Sequence, residues 1–293
     1  MLPAISTSPP GLRPVWFITG CSTGFGRALA EYVLKLGYRV VATARQPAEI
    51  DILKKHGNAL ILKLDVTNKQ EILGAVAAAE KAFGRIDVLV NNAGIGYFAA
   101  VEESENKAVR RMFDINLFGL GDMVKAVLPG MREHRSGFIV NISSIAGLRS
   151  YAAMGYYCAT KAAVEGLSGS LAQEVEPLGI KVMVVEPSGF RTDWAGRSAD
   201  ESKMHISDYA KTAGEARHHL REKSGHQAGD PVLAVRAIVE AVESGRAPHH
   251  LLLGNAAYDE AITKLALLGE DFSAWQDVSR GADAPEAAGA AVQ

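Results

Sequence analysis

Tyr157 and Lys161 stand four residues apart in the run Tyr157-Cys158-Ala159-Thr160-Lys161. In a helix this spacing puts a phenol and an ammonium on one face, one turn apart, where they can act together. A free tyrosine titrates at about 10, so a phenol that exchanges protons near neutrality must lose about 3 units, or about 4 kcal/mol. A neighbouring cation acts in that direction. The same pair on an ordinary helix surface is structural, so its meaning depends on what surrounds it.

A second constellation lies near the start: Thr19-Gly20-Cys21-Ser22-Thr23-Gly24-Phe25-Gly26 follows an apolar strand-like run and leads into a helical pattern from about Arg27. Glycines let the backbone turn sharply and approach a phosphate closely, and the helix N-terminus supplies free N–H groups and partial positive charge. The spacing Gly-x-x-x-Gly-x-Gly differs from the usual dinucleotide fingerprint, but strand, turn and helix are the context that fingerprint requires. NAD-binding folds present an acid about twenty residues later, at the end of the second strand. Here that place reads Ala42-Thr43-Ala44-Arg45. Arg45 either pairs with a 2′-phosphate, with Ser22 as a further donor, or is a solvated residue at a loop entrance.

The elements that must position these residues are legible as β-branched apolar runs: 15–19, 39–43, 59–64, 86–90, 138–142, 180–185 and 251–253. Segments with helical apolar spacing separate them, for example Leu29, Ala30, Val33 and Leu34, or Ile72, Val76, Ala79 and Phe83. Buried strands joined by helical crossovers predict a single α/β domain, a doubly wound Rossmann fold with a seven-stranded, mostly parallel sheet and helices on both faces. It is expected to span 14–254. Residues 1–13 read as a flexible tail without the features of a signal peptide, and 255–293 as a helical extension ending in a disordered Ala/Gly-rich segment from Gly281. The polar stretch 193–229, after the sixth strand, is a candidate substrate lid.

Composition excludes several classes. With 48% hydrophobic residues, 22% charged residues and a net charge of -2 across 293 residues, the chain offers no field for nucleic acid or an anionic membrane. Two cysteines, Cys21 and Cys158, make neither a disulfide framework nor a four-cysteine zinc site, which fits a reducing cytoplasm. No apolar run has the length of a membrane span.

Ser144, at the end of the fifth predicted strand, stands thirteen positions before Tyr157. Together with Thr19-Gly20 to Gly26, Asp65, Asn91-Asn92-Ala93-Gly94, Asn116, Tyr157, Lys161 and the stretch from Pro187 to Thr192, it makes the chain resemble the short-chain dehydrogenase/reductase family from Pro14 to Gly254. The runs 42–45 and 184–193 resemble the branch with retinol and 17β-hydroxysteroid dehydrogenases. The resemblance implies an oxidoreductase that moves a hydride between NADP(H), favoured over NAD(H), and an apolar ketone or secondary alcohol. Tyr157 would be the general acid/base, Lys161 would lower its pKa and bind the nicotinamide ribose, and Ser144 would hold the substrate oxygen. Oxidised nicotinamide would add positive charge beside the phenol.

Further roles follow from the same resemblance. Asn116 would hold a relay water to Lys161. The cofactor would lie against Gly20, Ser22, Thr23, Gly24, Phe25 and Gly26, with Arg45 at its phosphate and Asp65 and Val66 at adenine. Asn92, Ala93 and Gly94 would line the adenosine side, while Pro187, Gly189 and Thr192 would serve the nicotinamide. The family's Pro-Gly is Pro187-Ser188-Gly189 here, which leaves the Ser188 side chain either displacing the carboxamide or pointing away. Met154 stands where enoyl reductases carry their tyrosine, which disfavours reduction of carbon–carbon double bonds. A homodimer or homotetramer, paired through the helices of Asn116 and Tyr157, is expected by analogy. The other reading is a non-catalytic NADP-sensing or scaffold protein on the same fold, which would normally have lost part of the Asn-Ser-Tyr-Lys set.

Other residues have blander readings. Cys21 and Cys158 read as packing residues rather than redox switches. His218, His219 and His226, with no cysteine beside them and no carboxylate read at helical spacing, argue against a metal. Trp194, Met204 and Tyr209 are either substrate-packing or hinge residues of the lid; Tyr97, Phe98, Leu148, Tyr151 and Met154 are candidate pocket walls.

Overall fold

The structure is a computed structural model that describes residues 13–284. The chain opens with β1 (Val15–Ile18), α1 (Gly24–Lys35), β2 (Arg39–Ala44), β3 (Ala59–Lys63), α2 (Lys69–Phe83) and β4 (Val88–Asn91). There follow β5 (Gly96–Phe98), α3 (Asn106–Phe113), α4 (Leu120–Glu133), β6 (Gly137–Ile142), α5 (Gly155–Val175) and β7 (Ile180–Pro187). The last elements are β8 (Ala199–Glu201), α6 (Glu215–Glu222), α7 (Pro231–Glu243), β9 (His250–Leu253), α8 (Asn255–Ala274) and α9 (Gln276–Arg280). All seven predicted strands lie in one sheet in the order β3-β2-β1-β4-β6-β7-β9, and every pair is parallel.

Alternation along the strands builds two cores. Val40, Val88, Val90, Val140 and Val185 face α1 and α7, meeting Leu29, Val33, Ile238 and Val242. Their neighbours Val41, Leu89, Ile139 and Val182 face the other way, toward Ile72 and Ala79 of α2, Val127 of α4 and Leu171 of α5. The helix limits are local: Asn68 caps α2 by accepting from the N–H groups of Gln70 and Glu71, and Gly84 closes it in a left-handed turn at φ 85°. Strand order reverses between β1 and β4, which places a crevice at their carboxyl ends, where open sheets of this kind bind ligands.

Two features were not legible in the sequence. β5 and β8 form a separate parallel pair, Gly96 with Ala199 through Phe98 with Glu201, and three residues are too few to show a period of two. This pair fastens the 193–229 segment to the loop after β4. In addition, residues Asp114–Gly119 form a π-helical turn between α3 and α4, so Asn116 sits on a bulge rather than in a regular helix. The N-terminal tail through residue 12 and residues 285–293 of the expected Ala/Gly-rich end lie outside the described residues.

Glu103 is the second anchor of the 193–229 segment. Its carboxylate accepts from the Ala100 N–H at 3.1 Å, the Ile206 N–H at 2.8 Å and Arg217 Nη1 at 3.1 Å, with both charged side chains buried. Breaking such a pair from one side leaves a buried cation uncompensated, at about 3–5 kcal/mol. Glu103→Ala is therefore expected to make 202–222 the first site of limited proteolysis and to lower the unfolding midpoint; a variant as resistant as the parent would contradict this anchoring.

Candidate active site

A cavity of about 1940 Å³ runs along the carboxyl ends of the strands, from Arg45 and Asp65 at one end to Tyr157, Trp194 and Leu220 at the other. The end near Arg45 and Asp65 is shaped by the turn after β1. Gly20 holds φ 71°, and a side chain there would come within 2.9 Å of Ala93 Cα. Gly26 does not line the cavity, but a Cβ on it would lie 2.4 Å from both the Gly20 carbonyl and Asn92 Nδ2. Asn92 Nδ2 donates to the carbonyls of Thr19 and Gly20 at 2.9 and 3.0 Å, while Thr19 Oγ1 accepts from the N–H groups of Asn92 and Ala93. The turns after β1 and β4 are thereby locked together around a cradle without side chains. That cradle fits a pyrophosphate.

Ser22, Thr23, Gly24, Phe25, Arg45, Asp65, Val66, Asn92, Ala93, Gly94, Pro187, Gly189 and Thr192 all line the cavity, as the sequence reading expects. Arg45 stands exposed directly after β2. Burial pushes the Asp65 carboxyl up, but the Thr67 N–H and hydroxyl, with the charges of Arg45 and Arg111, outweigh it and hold the carboxylate below its usual range. Arg111 also lines this end and was missed, because an arginine inside a polar helix gives no sequence signal of its direction. Ser188 also lines the cavity, with its hydroxyl donating to the Leu253 carbonyl at 3.3 Å.

At the other end, Ser144, Tyr157 and Lys161 come together on the cavity wall. Ser144 Oγ accepts from the Ala146 N–H at 3.1 Å and reaches the Pro187 carbonyl at 3.5 Å. Lys161 Nζ donates to the Ile142 carbonyl at 2.8 Å and lies 5.7 Å from the centre of the Tyr157 ring. Burial pushes the Lys161 ammonium down to about 8, with Glu165 opposing. Burial likewise drives the Tyr157 phenol well above the usual tyrosine range, with Ser144 pulling the other way. The Lys161 hydrogen bond goes to the Ile142 carbonyl, and burial of Tyr157 favours the protonated phenol, the form a general acid needs.

Asn116 is not brought into the cavity. Its Oδ1 accepts from the Ile95 N–H at 2.9 Å, and its Nδ2 donates to the Ile95 carbonyl at 2.9 Å and to Thr160 Oγ1 at 3.2 Å. The amide thus clamps the chain after Gly94 to α5.

The pocket walls divide. Tyr97, Tyr151, Met154 and Trp194 line the cavity, whereas buried Phe98 supports Trp194 from behind and Leu148 packs on α8. Trp194 lies over Tyr157, ring centres 4.9 Å apart. Met204 is exposed and Tyr209 donates to Glu102, both away from the cavity, so of the three lid residues Trp194 alone faces it. Leu220 of α6 also reaches the cavity; its signal was being a large apolar residue in a polar helix. Glu260 of α8 accepts from the Tyr151 hydroxyl, a contact across 109 positions that no local pattern announces.

Cys21 is fully buried, its thiol pushed up to about 12 by burial and directed at the Ile18 carbonyl, and burial raises Cys158 as well. Both are packing residues. A carboxylate does stand at helical spacing from the lid histidines: Glu222 pairs with His218 at 3.0 Å and with His219 at 3.7 Å, on an exposed surface outside the cavity.

Residues 14–203 match the family model described as short chain dehydrogenase. An oxidoreductase of Botryotinia fuckeliana, BOA17, is 37% identical over 271 residues, covering 92% of this chain and 98% of its own length. Human retinol dehydrogenase 8 is 35% identical over 248 residues, covering 79% of this chain and 78% of its own. The crystal structure of a short-chain dehydrogenase from Streptomyces avermitilis, 40% identical, superposes with a TM-score of 0.87 over 93% of this chain and 100% of that one. With the seven-stranded parallel sheet, the glycine cradle and the Ser144, Tyr157 and Lys161 wall, these matches make the chain a member of the short-chain dehydrogenase/reductase family of oxidoreductases.

Proposed function

We propose that the protein is an NADP(H)-dependent oxidoreductase that interconverts an apolar ketone and its secondary alcohol, with Tyr157 as general acid/base. One observation carries this reading: Ser144, Tyr157 and Lys161 face the same cavity that the glycine cradle and Arg45 line. Bound NADPH supplies the hydride for the carbonyl carbon. The protein's own residues do the rest. Ser144 orients the substrate oxygen by donating its hydroxyl hydrogen, and the Tyr157 phenol delivers its proton to that oxygen. Lys161, held by the Ile142 carbonyl, presents positive charge to the cofactor ribose and to the phenolate left behind.

Arg45 is the residue we assign to the 2′-phosphate, with Ser22 beside it on the same cavity wall. Tyr97, Tyr151, Met154, Trp194 and Leu220 give the substrate end an apolar and aromatic lining, and the 193–229 segment acts as its lid. Thr192 and Gly189 adjoin the nicotinamide end. Two copies would pair through α4 and α5, where Phe118, in the π-turn before α4, and Leu167 stand exposed. Buried, unpaired Cys21 and Cys158 fit a reducing cytoplasm.

Two substitutions test the reading. Tyr157→Phe removes one hydroxyl from a buried ring and is expected to lower kcat by about 10²–10⁴-fold while NADPH binding, followed by fluorescence, stays within twofold of the parent, taking about twofold as measurement scatter. Undiminished turnover of a ketone would sink the acid/base assignment. Arg45→Ala is expected to raise the KM for NADPH by about 10–100-fold and leave that for NADH unchanged, the worth of a charge-assisted phosphate contact. An equal effect on both cofactors would remove Arg45 from the phosphate.

A further inference from the structure

Behind the catalytic wall lies a second cluster of titratable groups that the reaction does not use directly. Glu165 stands one turn beyond Lys161 on α5, Glu186 is the penultimate residue of β7, and His250 opens β9. One ligand atom from each lies within 4.8 Å of the others. His250 Nδ1 is 2.6 Å from Glu186 Oε1 and 3.7 Å from Glu165 Oε2. The Glu186 side chain is 0% exposed, that of Glu165 12% and that of His250 50%, so the cluster runs from the interior to the surface. Both Glu165 oxygens, Glu186 Oε2 and the adjacent Ser143 hydroxyl are buried, and among the described residues the only hydrogen-bonding group facing the Glu165 carboxyl besides His250 is that hydroxyl.

Two carboxylates this close and this buried cannot both ionise freely, so burial favours a proton retained on the pair. The groups that face Glu165 are Lys161 from its own helix, Glu186 from β7, His250 from β9 and Ser143 from the loop after β6; the His249 ring edge packs on His250 at 4.6 Å. We propose that Glu165, Glu186 and His250 form a proton-holding triad that sets the charge on Lys161 and makes Glu165 a positioning residue for the proton chemistry at Tyr157. This rests on the function proposed above. Burial, reinforced by Glu186 and opposed by Ser143, His250 and Lys161, raises the Glu165 carboxyl to about 7; burial raises that of Glu186 to about 8 against the Leu251 N–H. When the triad loses its proton, the charge on Glu165 holds Lys161 in its ammonium form against the burial that lowers it.

The triad is tested apart from turnover by infrared titration of the purified full-length protein. A protonated-carboxyl carbonyl band is expected to persist to neutrality, to disappear between about pH 7 and 8, to weaken in Glu186→Gln and to be lost in the double variant Glu165→Gln/Glu186→Gln. Absence of that band above about pH 6, or stoichiometric divalent metal in the purified protein, would overturn the triad. The same raised values fix a sign for stability: it is full below about 4.5 and falls as pH rises through about 7 to 8, so Glu186→Gln should gain melting temperature at alkaline pH and not at pH 5. For the link to catalysis, Glu165→Gln is expected to move the alkaline limb of the kcat/KM profile down by about one unit, with Glu165→Asp restoring it. A limb that stays in place would overturn the positioning role. If no carbonyl is turned over by the parent, the proposed function fails and the positioning role with it, while the infrared band still decides the triad.

Discussion

The clamp made by Asn92 and Thr19 at the reversal of strand order is the constraint on which the site depends. Four hydrogen bonds join the turns after β1 and β4, two strands that lie side by side in the sheet although about seventy residues separate them in the chain. The clamp forces close approach of two backbones, and that closeness is why Gly20 and Gly26 admit no side chain. It also fixes the direction of the chain after Gly94, where Asn116 takes over and ties Ile95 to the π-turn and to Thr160 of α5. The position of the helix bearing Tyr157 and Lys161 is thus set through side-chain amides from the glycine cradle, over a path of fully hydrogen-bonded groups.

Burial is the second organising force, and it acts oppositely on the two functional side chains. It drives the phenol of Tyr157 up and the ammonium of Lys161 down, so both neutral forms are favoured. A site with this bias holds a proton ready on Tyr157, and it depends on nearby charge to keep Lys161 cationic. Trp194 contributes to the same bias by covering the Tyr157 ring, itself braced by Phe98 and by the small residue Gly96, which a Cβ would bring within 2.8 Å of the indole. The 193–229 segment, through Trp194, is therefore part of the wall around Tyr157.

The main sheet was legible because its five inner strands are almost wholly buried and all seven read as apolar runs; the observed limits differ from the runs by one or two residues. The glycine turn was equally legible as a structural feature, since it falls between a strand and a helix in the chain, and its residues line the cavity. What stayed hidden shares a cause: contact between residues far apart in sequence with no periodicity of their own. The β5–β8 pair, the Glu103–Arg217 anchor and the Tyr151–Glu260 contact are of this kind. Asn116 stands where the sequence expects it, but the tie that its amide makes between Ile95 and Thr160 is a contact no local pattern announces. Ser188 was undecided from sequence because only the neighbouring β9 turn determines where its hydroxyl goes.

The central claim is that one continuous cavity brings a nicotinamide dinucleotide and a carbonyl carbon together beside Tyr157. The most direct measurement is label transfer: NADPH deuterated at the reactive carbon of its nicotinamide is incubated with the full-length protein and a panel of apolar ketones, and the alcohols are examined by mass spectrometry. The account predicts deuterium on the new carbinol carbon, from one of the two labelled faces only. Alcohol formed without label from either face, or no alcohol from any ketone while NADPH binds normally, would contradict it.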